Sequence, residues 1–316
     1  MNGRVVAALR WSLGVAALAF LLWRVDLGSA LATVREADPR WLAAALVAQL
    51  GAKTCWVLRW RRLLAATGHP RGAGSLLRLI LLGLFFNNFL PTSVGGDVVR
   101  GIGLARDGVP KALAAASVVA DRLVGVVALA LLAAGGGLVG ARLWPDGGPW
   151  TASAVVAAVV GTGIVVATRP EVLGRLGAIG PSGPLVAKGR RLVEKISFLS
   201  GQAAALAVAL GFSVALAACS AIYHWTVARA VGIDLPAVSW FVIVPAVMLF
   251  AALPITVNGL GVRELGFVGF LSAQGVDGER ATVFALLAFV GTLGFAVAGG
   301  LLFLRGDRPT TEAKHV

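Results

Sequence analysis

Leu90-Pro91-Thr92-Ser93-Val94-Gly95-Gly96-Asp97-Val98-Val99-Arg100 returns later in the chain as Leu253-Pro254-Ile255-Thr256-Val257-Asn258-Gly259-Leu260-Gly261-Val262-Arg263. The copies align at one offset of 163 residues, Pro91 on Pro254 and Arg100 on Arg263, with six of eleven positions identical. Each copy interrupts an apolar run with Pro and Gly and then supplies an Arg. Paired, interrupted apolar segments of this kind point to a binding site at membrane depth between two related halves.

The surroundings of both copies are apolar. Hydrophobic residues make up 58% of the 316, charged ones 14%, and the mean hydropathy is +0.86. A soluble core cannot absorb that much apolar surface, so the composition specifies an all-α polytopic membrane protein. Uncharged runs at 79–96, 123–141, 147–168, 196–228, 235–262 and 281–304 leave room for one membrane domain over 1–316 and no sizeable soluble domain. The net charge of +13 lies between apolar runs rather than on one folded face. That excludes nucleic acid as a partner and favours anionic membrane lipid. Cys55 and Cys219 fall in or beside apolar segments and read as buried free thiols; neither a disulfide framework nor a zinc spacing is present. No cofactor or metal is implied. Arg4 and Arg10 precede an apolar run at 11–23, and Ala30-Leu31-Ala32 imitates a cleavage site, but Arg24 and Asp26 intervene, so the run reads as a retained first span.

Full spans are expected near 5–24, 41–60, 113–139, 150–168, 203–229 and 280–304, with Trp23, Trp41, Trp144, Trp150 and Trp240 as interface anchors. Two broken segments lie between them. One runs 76–90, breaks at 91–97 and resumes to about 106; the other runs 239–253, breaks at 254–261 and resumes to about 274. A fifteen-residue arm reaches only about 22 Å as a helix, short of a hydrocarbon core of about 30 Å. Two re-entrant hairpins therefore fit, with eight full spans as the alternative. Basic residues decide for the hairpins. With cytoplasmic termini, nineteen of the 28 lie inside, among them Lys53, Arg59, Arg61, Arg62, Arg71, Arg78 and the 169–200 linker; six lie outside, and Arg100, Arg122 and Arg263 sit at depth. A fully crossing first hairpin would carry the basic linker outside, against the positive-inside rule. The protein is thus expected in the cell (inner) membrane with both termini cytoplasmic.

The same offset maps 41–58 onto 204–221 and 113–139 onto 276–302. The halves 41–140 and 204–304 then run in opposite directions, an inverted repeat. Between them, 169–202 ends in alternating apolar and basic residues from Leu185 to Leu199, which suits an amphipathic helix on the inner leaflet or a solvated linker.

Each Arg or Asp at a helix centre costs about 3 kcal/mol to insert, so such residues face a bundle interior or a wet cavity. Asp97, Arg100, Asp121, Arg122, Arg263 and Glu264 are the candidates. Gly95, Gly96, Gly259 and Gly261 allow close backbone approach, and the restarted helices offer N-terminal donors to an anion. With Arg100 and Arg263 a turn further on, this combination can hold a phosphate. The same arginines can instead pair internally, Arg100 with Asp97 or Asp121 and Arg263 with Glu264 or Asp121. Asn87, Asn88, Thr92, Ser93, Thr256 and Asn258 read mainly as caps for freed backbone. The charged pair Asp121 and Arg122 has Phe284 and Ala285 at the equivalent positions, so the halves are not chemically equivalent. His224 reads as hydrogen-bonded packing.

The motifs Phe-Phe-Asn-Asn-Phe-Leu-Pro-Thr-Ser-Val-Gly-Gly-Asp-Val-Val-Arg (85–100), Asp-Arg-Leu-Val-Gly (121–125) and Leu-Pro-Ile-Thr-Val-Asn-Gly-Leu-Gly-Val-Arg-Glu (253–264) resemble the flippase-like transmembrane family of lysylphosphatidylglycerol synthases. The resemblance covers nearly the whole chain. It implies a membrane-embedded lipid-handling module, some members moving charged phospholipids and others tied to polyprenyl-phosphate sugars or hopanoids. The cytosolic synthase domain is not expected here, nor its activity. The expected function is a lipid flippase for an anionic lipid, with lipid-biosynthetic enzymes as possible partners. The alternatives are a glycosyltransferase-like enzyme using Glu36 and Asp38 as a metal-binding pair, or a non-transporting partner of a lipid-modifying enzyme. No nucleophile with its base and no His-Glu-x-x-His motif supports catalysis.

Overall fold

The computed structural model describes residues 27–89, 95–143, 202–252 and 256–305, with Ser12, Val15, Ala16 and Ala19 helical before them. The rest of the span near 5–24, the span at 150–168, the linker up to residue 201, the segments 90–94 and 253–255 and the tail from 306 lie outside the described residues. Among those described, every regular element is helical: α1 (Leu27–Arg35), α2 (Pro39–Ala66), α3 (Ala73–Phe89), α4 (Gly95–Arg106), α5 (Lys111–Leu143), α6 (Ala203–Ala230), α7 (Ala237–Ala252), a 3₁₀ turn (Val257–Gly259), α8 (Val262–Ser272) and α9 (Gly278–Leu304).

Four of these are long and apolar enough to cross a membrane: α2, α5, α6 and α9. A 28-residue helix such as α2 extends about 42 Å, so it clears the hydrocarbon core with a turn or more to spare. It outruns its expected end at 60 because Leu63 and Leu64 are wholly buried, while Arg61 and Arg62 project outward. Leu46, Val47, Leu50, Val290, Val297, Leu301 and Phe303 are exposed, the outward apolar face that lipid requires and water does not tolerate.

The arms α3 and α7, 17 and 16 residues long, stop short as expected. Pro91 and Pro254 lie just beyond their ends, where a helix cannot continue unbroken. The chain then doubles back. In the first hairpin an added Cβ on Gly103 would collide with Leu79 and one on Gly96 with the Gly83 carbonyl. At its mouth Ser75 Oγ donates to Asp107 at 3.2 Å and Arg71 Nη2 to the Asp107 carbonyl at 2.7 Å. In the second, Gly259 lies against Ala251 and Gly266 against Val247. Each hairpin therefore begins and ends on one side, and eight full spans are excluded for these segments.

Helices α2 and α6 occupy equivalent places in the repeat and run antiparallel. The Asp38 N–H donates to the Ala230 carbonyl, Gly51 meets Cys219, Arg59 donates to Ser213, and Gln202 donates to the Ala66 carbonyl. Since α3 follows the end of α2 and α7 follows the end of α6, the hairpins enter the bundle from opposite ends. Partners are exchanged accordingly: α3 packs on α9 and α7 on α5, while α4 packs on α5 and α8 on α9. At the two exchanged contacts sit equivalent glycines. Gly299 faces the Leu81 carbonyl, and Gly136 faces the Phe241 carbonyl, the acceptor that Pro245 leaves without its helical donor. Small residues at such points let helices pack where lipid supplies no hydrophobic drive.

Candidate functional site

Asp121 lies ten residues into α5, about 15 Å along the helix, with no exposed surface. A carboxylate there is tolerable only if its lone pairs are filled. Three donors fill them: Arg59 Nε at 2.7 Å, Arg100 Nη2 at 2.7 Å and Trp56 Nε1 at 2.9 Å. Arg59 comes from α2 and Arg100 from the returning arm α4, so the carboxylate ties the hairpin to two spans. The Arg100 guanidinium lies 3.9 Å from the Trp60 ring centroid and 5.2 Å from that of Trp56, a cation–π contact strengthened by exclusion of water. Its Nη1 reaches Asp97 at 3.4 Å, and its Nε is buried without a partner among the described residues. Arg122 Nε reaches the other Asp97 oxygen at 2.5 Å, and its side chain is 51% exposed. The group comprises three guanidiniums, Arg59, Arg100 and Arg122, and two carboxylates, Asp97 and Asp121. One positive charge is left over.

The second hairpin carries a smaller group. Arg263 directs Nε and Nη2 to Glu264 Oε1, at 2.9 and 2.6 Å, and Glu264 Oε2 accepts the Gly261 N–H at 2.7 Å. Glu264 is wholly buried; Arg263 is 19% exposed and lies over the Phe289 ring. This pair is neutral. Asn258 and Gly259 take left-handed φ values of 53° and 72°, and Gly261 one of 78°, which turns the chain from the 3₁₀ turn into α8.

Both internal pairings open to Arg100 occur, with Asp97 and with Asp121, and Arg263 takes Glu264. Two of the backbone donors freed by the breaks are already used: the Gly96 N–H by Asn87 Oδ1 at 2.7 Å and the Gly261 N–H by Glu264. Gly95, like Gly96, is buried within the first turn of α4. Asn87 is a cap, as expected; Asn88 returns its amide to the Leu84 carbonyl. Thr256 is buried, its hydroxyl without a partner among the described residues, and Asn258 is exposed. Thr92 and Ser93 lie outside the described residues. His224 is packing: Nδ1 meets the Ser220 carbonyl at 2.7 Å and the ring stacks on Phe267.

Four readings of the sequence need correction or completion. Arg59 belongs to the buried site and not to a cytoplasmic basic stretch, and Lys53 sits midway along α2. Trp240 is fully buried against Phe284, because the start of α7 is covered by α9-packed core rather than set at an interface. Asp38 is a helix cap, its carboxylate accepting the Arg40 N–H at 2.8 Å, and Glu36 is exposed. Trp56 and Trp60 were not foreseen as site residues. The signal was present: Trp56, Arg59 and Trp60 are three and four residues apart, on one face of α2. Among the described residues no group of three His, Cys, Asp or Glu could hold a metal ion.

The comparisons with known proteins agree with this architecture. One curated relative, a UPF0104 membrane protein of Methanothermobacter thermautotrophicus, is 29% identical over 153 residues, 47% of this chain and 44% of that protein. The match thus spans less than half of the relative's length. The family model described as the lysylphosphatidylglycerol synthase TM region matches residues 5–300. A match over nearly all of the chain, on a helical bundle with two broken hairpins, makes this protein a member of the lysylphosphatidylglycerol synthase transmembrane-region family.

Proposed function

We propose that this protein moves a lipid with an anionic head group between leaflets of the cell membrane, both termini being cytoplasmic. One observation carries the reading. Two antiparallel halves each bring a broken hairpin to an Arg–carboxylate group, and the hairpins enter from opposite ends of the bundle. A pair of sites built this way can be opened in turn to either side by rocking one half against the other. The surplus positive charge of Arg59, Arg100 and Arg122 over Asp97 and Asp121 suits a phosphate, and the half-exposed Arg122 is the group placed to meet it first. Arg263 meets it at the other hairpin. Arg100, held between Asp121 and the Trp60 ring, positions the first site. Gly95, Gly96, Asn258 and Gly259 shape the two turns, and Glu264 holds Arg263. The lipid is a phospholipid, a polyprenyl-phosphate-linked sugar or a hopanoid. A lipid-biosynthetic enzyme as partner is consistent with this role. The enzyme reading on Glu36 and Asp38 has less support, since Asp38 is occupied as a cap.

Proteoliposomes loaded with labelled phospholipids and polyprenyl phosphates test the proposal. Exchange above protein-free vesicles is expected, falling at least tenfold in Arg122→Gln and Arg263→Gln. Absence of exchange for every lipid, or unchanged exchange in both variants, would refute it.

A further inference from the structure

Lys53 stands at the centre of α2, fourteen residues from Pro39 and thirteen from Ala66, so about 20 Å of helix separates it from either end. Its side chain is partly exposed. The other cations deep in the bundle each have a carboxylate: Arg59 and Arg100 have Asp121, Arg122 has Asp97, and Arg263 has Glu264. Lys53 meets none within ion-pair distance among the described residues. Its contacts are a hydrogen bond to the neutral Gln49 Oε1 at 3.1 Å and the Phe295 ring at 5.1 Å. An ammonium at the middle of a spanning helix is expensive, and without a protein counter-ion it marks a wet path or a place for an outside anion.

Its neighbours connect it to both sites. Gln49 lies one turn away on the same face of α2, beside Tyr223. The Tyr223 hydroxyl donates to the Ala288 carbonyl, one residue from Phe289, beneath Arg263. In the other direction Trp56, three residues along, donates to Asp121. Gln49, Lys53, Trp56 and Trp60 follow the spacing of one helix face. That face runs from the edge of the second site to the first, past the region where α2 crosses its counterpart α6.

We infer that Lys53 is a mid-path contact for the anionic head group, receiving its phosphate between the Arg122 site and the Arg263 site. This rests on the proposed lipid movement and adds a third binding position to it. The ligand class is a phosphate mono- or diester of a lipid; a free phosphate would share the chemistry.

The test uses the full-length protein in proteoliposomes containing fluorescent phosphatidylglycerol. Lys53→Met keeps the stem and removes the charge, and Lys53→Arg restores it. The expected result is at least a tenfold loss of exchange in Lys53→Met and recovery to within threefold of the original in Lys53→Arg, with the unfolding temperature unchanged. Added inorganic phosphate competing with exchange would show that free phosphate also occupies the position. Exchange by the original protein but equally by Lys53→Met would overturn this inference alone. Loss in both Lys53→Met and Lys53→Arg, with lowered unfolding temperature, would overturn it in favour of a packing role. No exchange by the original protein would instead remove the underlying proposal.

Discussion

Asp121 and Phe284 hold equivalent positions on α5 and α9, 163 residues apart, and are surrounded by opposite chemistry. Around Asp121 stand Arg59, Arg100 and Trp56. Around Phe284 stand His224, Trp240 and Phe267, with ring centroids 5.1 to 6.3 Å away. The equivalents of Arg59 and Trp60 are Ile222 and Tyr223. One backbone plan thus holds a hydrogen-bonded ion cluster in one half and an aromatic cluster in the other. The difference teaches that the hairpin geometry does not need a charged cluster at the position of Asp121. Turns, close glycine contacts and partner exchange are shared; the surplus positive charge is not. Buried ion clusters are weak sources of stability because desolvation offsets most of the attraction. Stability therefore does not account for a cluster at only one of the two equivalent positions.

Removing one member should be far more damaging in the ionic half. Asp121→Ala leaves Arg59 without a counter-ion and Arg100 with only the longer contact to Asp97, and the expected loss is about 4 kcal/mol. Phe284→Ala should lose about 2 kcal/mol, since a core bathed in lipid forfeits packing but little hydrophobic transfer. Thermal unfolding in detergent reads both, and equal shifts would erase the distinction between the halves. Next come the features the halves share. Gly299→Val should cost about 3 kcal/mol by overpacking against the Leu81 carbonyl, and Gly136→Val about 1 kcal/mol, since its added Cβ meets the Phe241 carbonyl less closely. Shifts in both variants, larger for Gly299→Val, would sharpen the equivalence; a shift confined to one would break it. An effect as small is expected outside the comparison. Asp38→Ala should cost about 1 kcal/mol as a lost cap, with lipid exchange retained; abolished exchange with an unchanged unfolding temperature would revive a chemical role for the Glu36–Asp38 pair.

Much of the fold was legible in the chain because its evidence is local. Apolar runs mark α2, α5, α6 and α9, and Pro91 and Pro254 mark the ends of two short arms. The offset of 163 ties the halves together through Gly96 and Gly259 or Gly136 and Gly299, whose need for a missing Cβ is felt at one point. The site was legible in part. Asp97, Arg100, Asp121 and Arg122 are charges within apolar surroundings and stand out. Arg59 did not, because it precedes Arg61 and Arg62 at the end of a span and reads as one of a surface cluster. Its burial follows from the rotation of α2 against α5, which brings it to a carboxylate 62 residues later. Trp240 misled for a similar reason: a Trp at a segment end looks like an interface anchor until the covering helix is known.

Alternating exposure requires that the two hairpin mouths face opposite sides of the membrane. Cysteine accessibility in intact cells and inverted vesicles measures this directly, in a background lacking Cys55 and Cys219. Gly72→Cys, at the mouth of the first hairpin, and Gly278→Cys, at the mouth of the second, both place the new side chain in open space. Labelling of Gly278→Cys from outside only and of Gly72→Cys from the cytoplasmic side only is the result expected. Labelling of both from the same side would contradict the account.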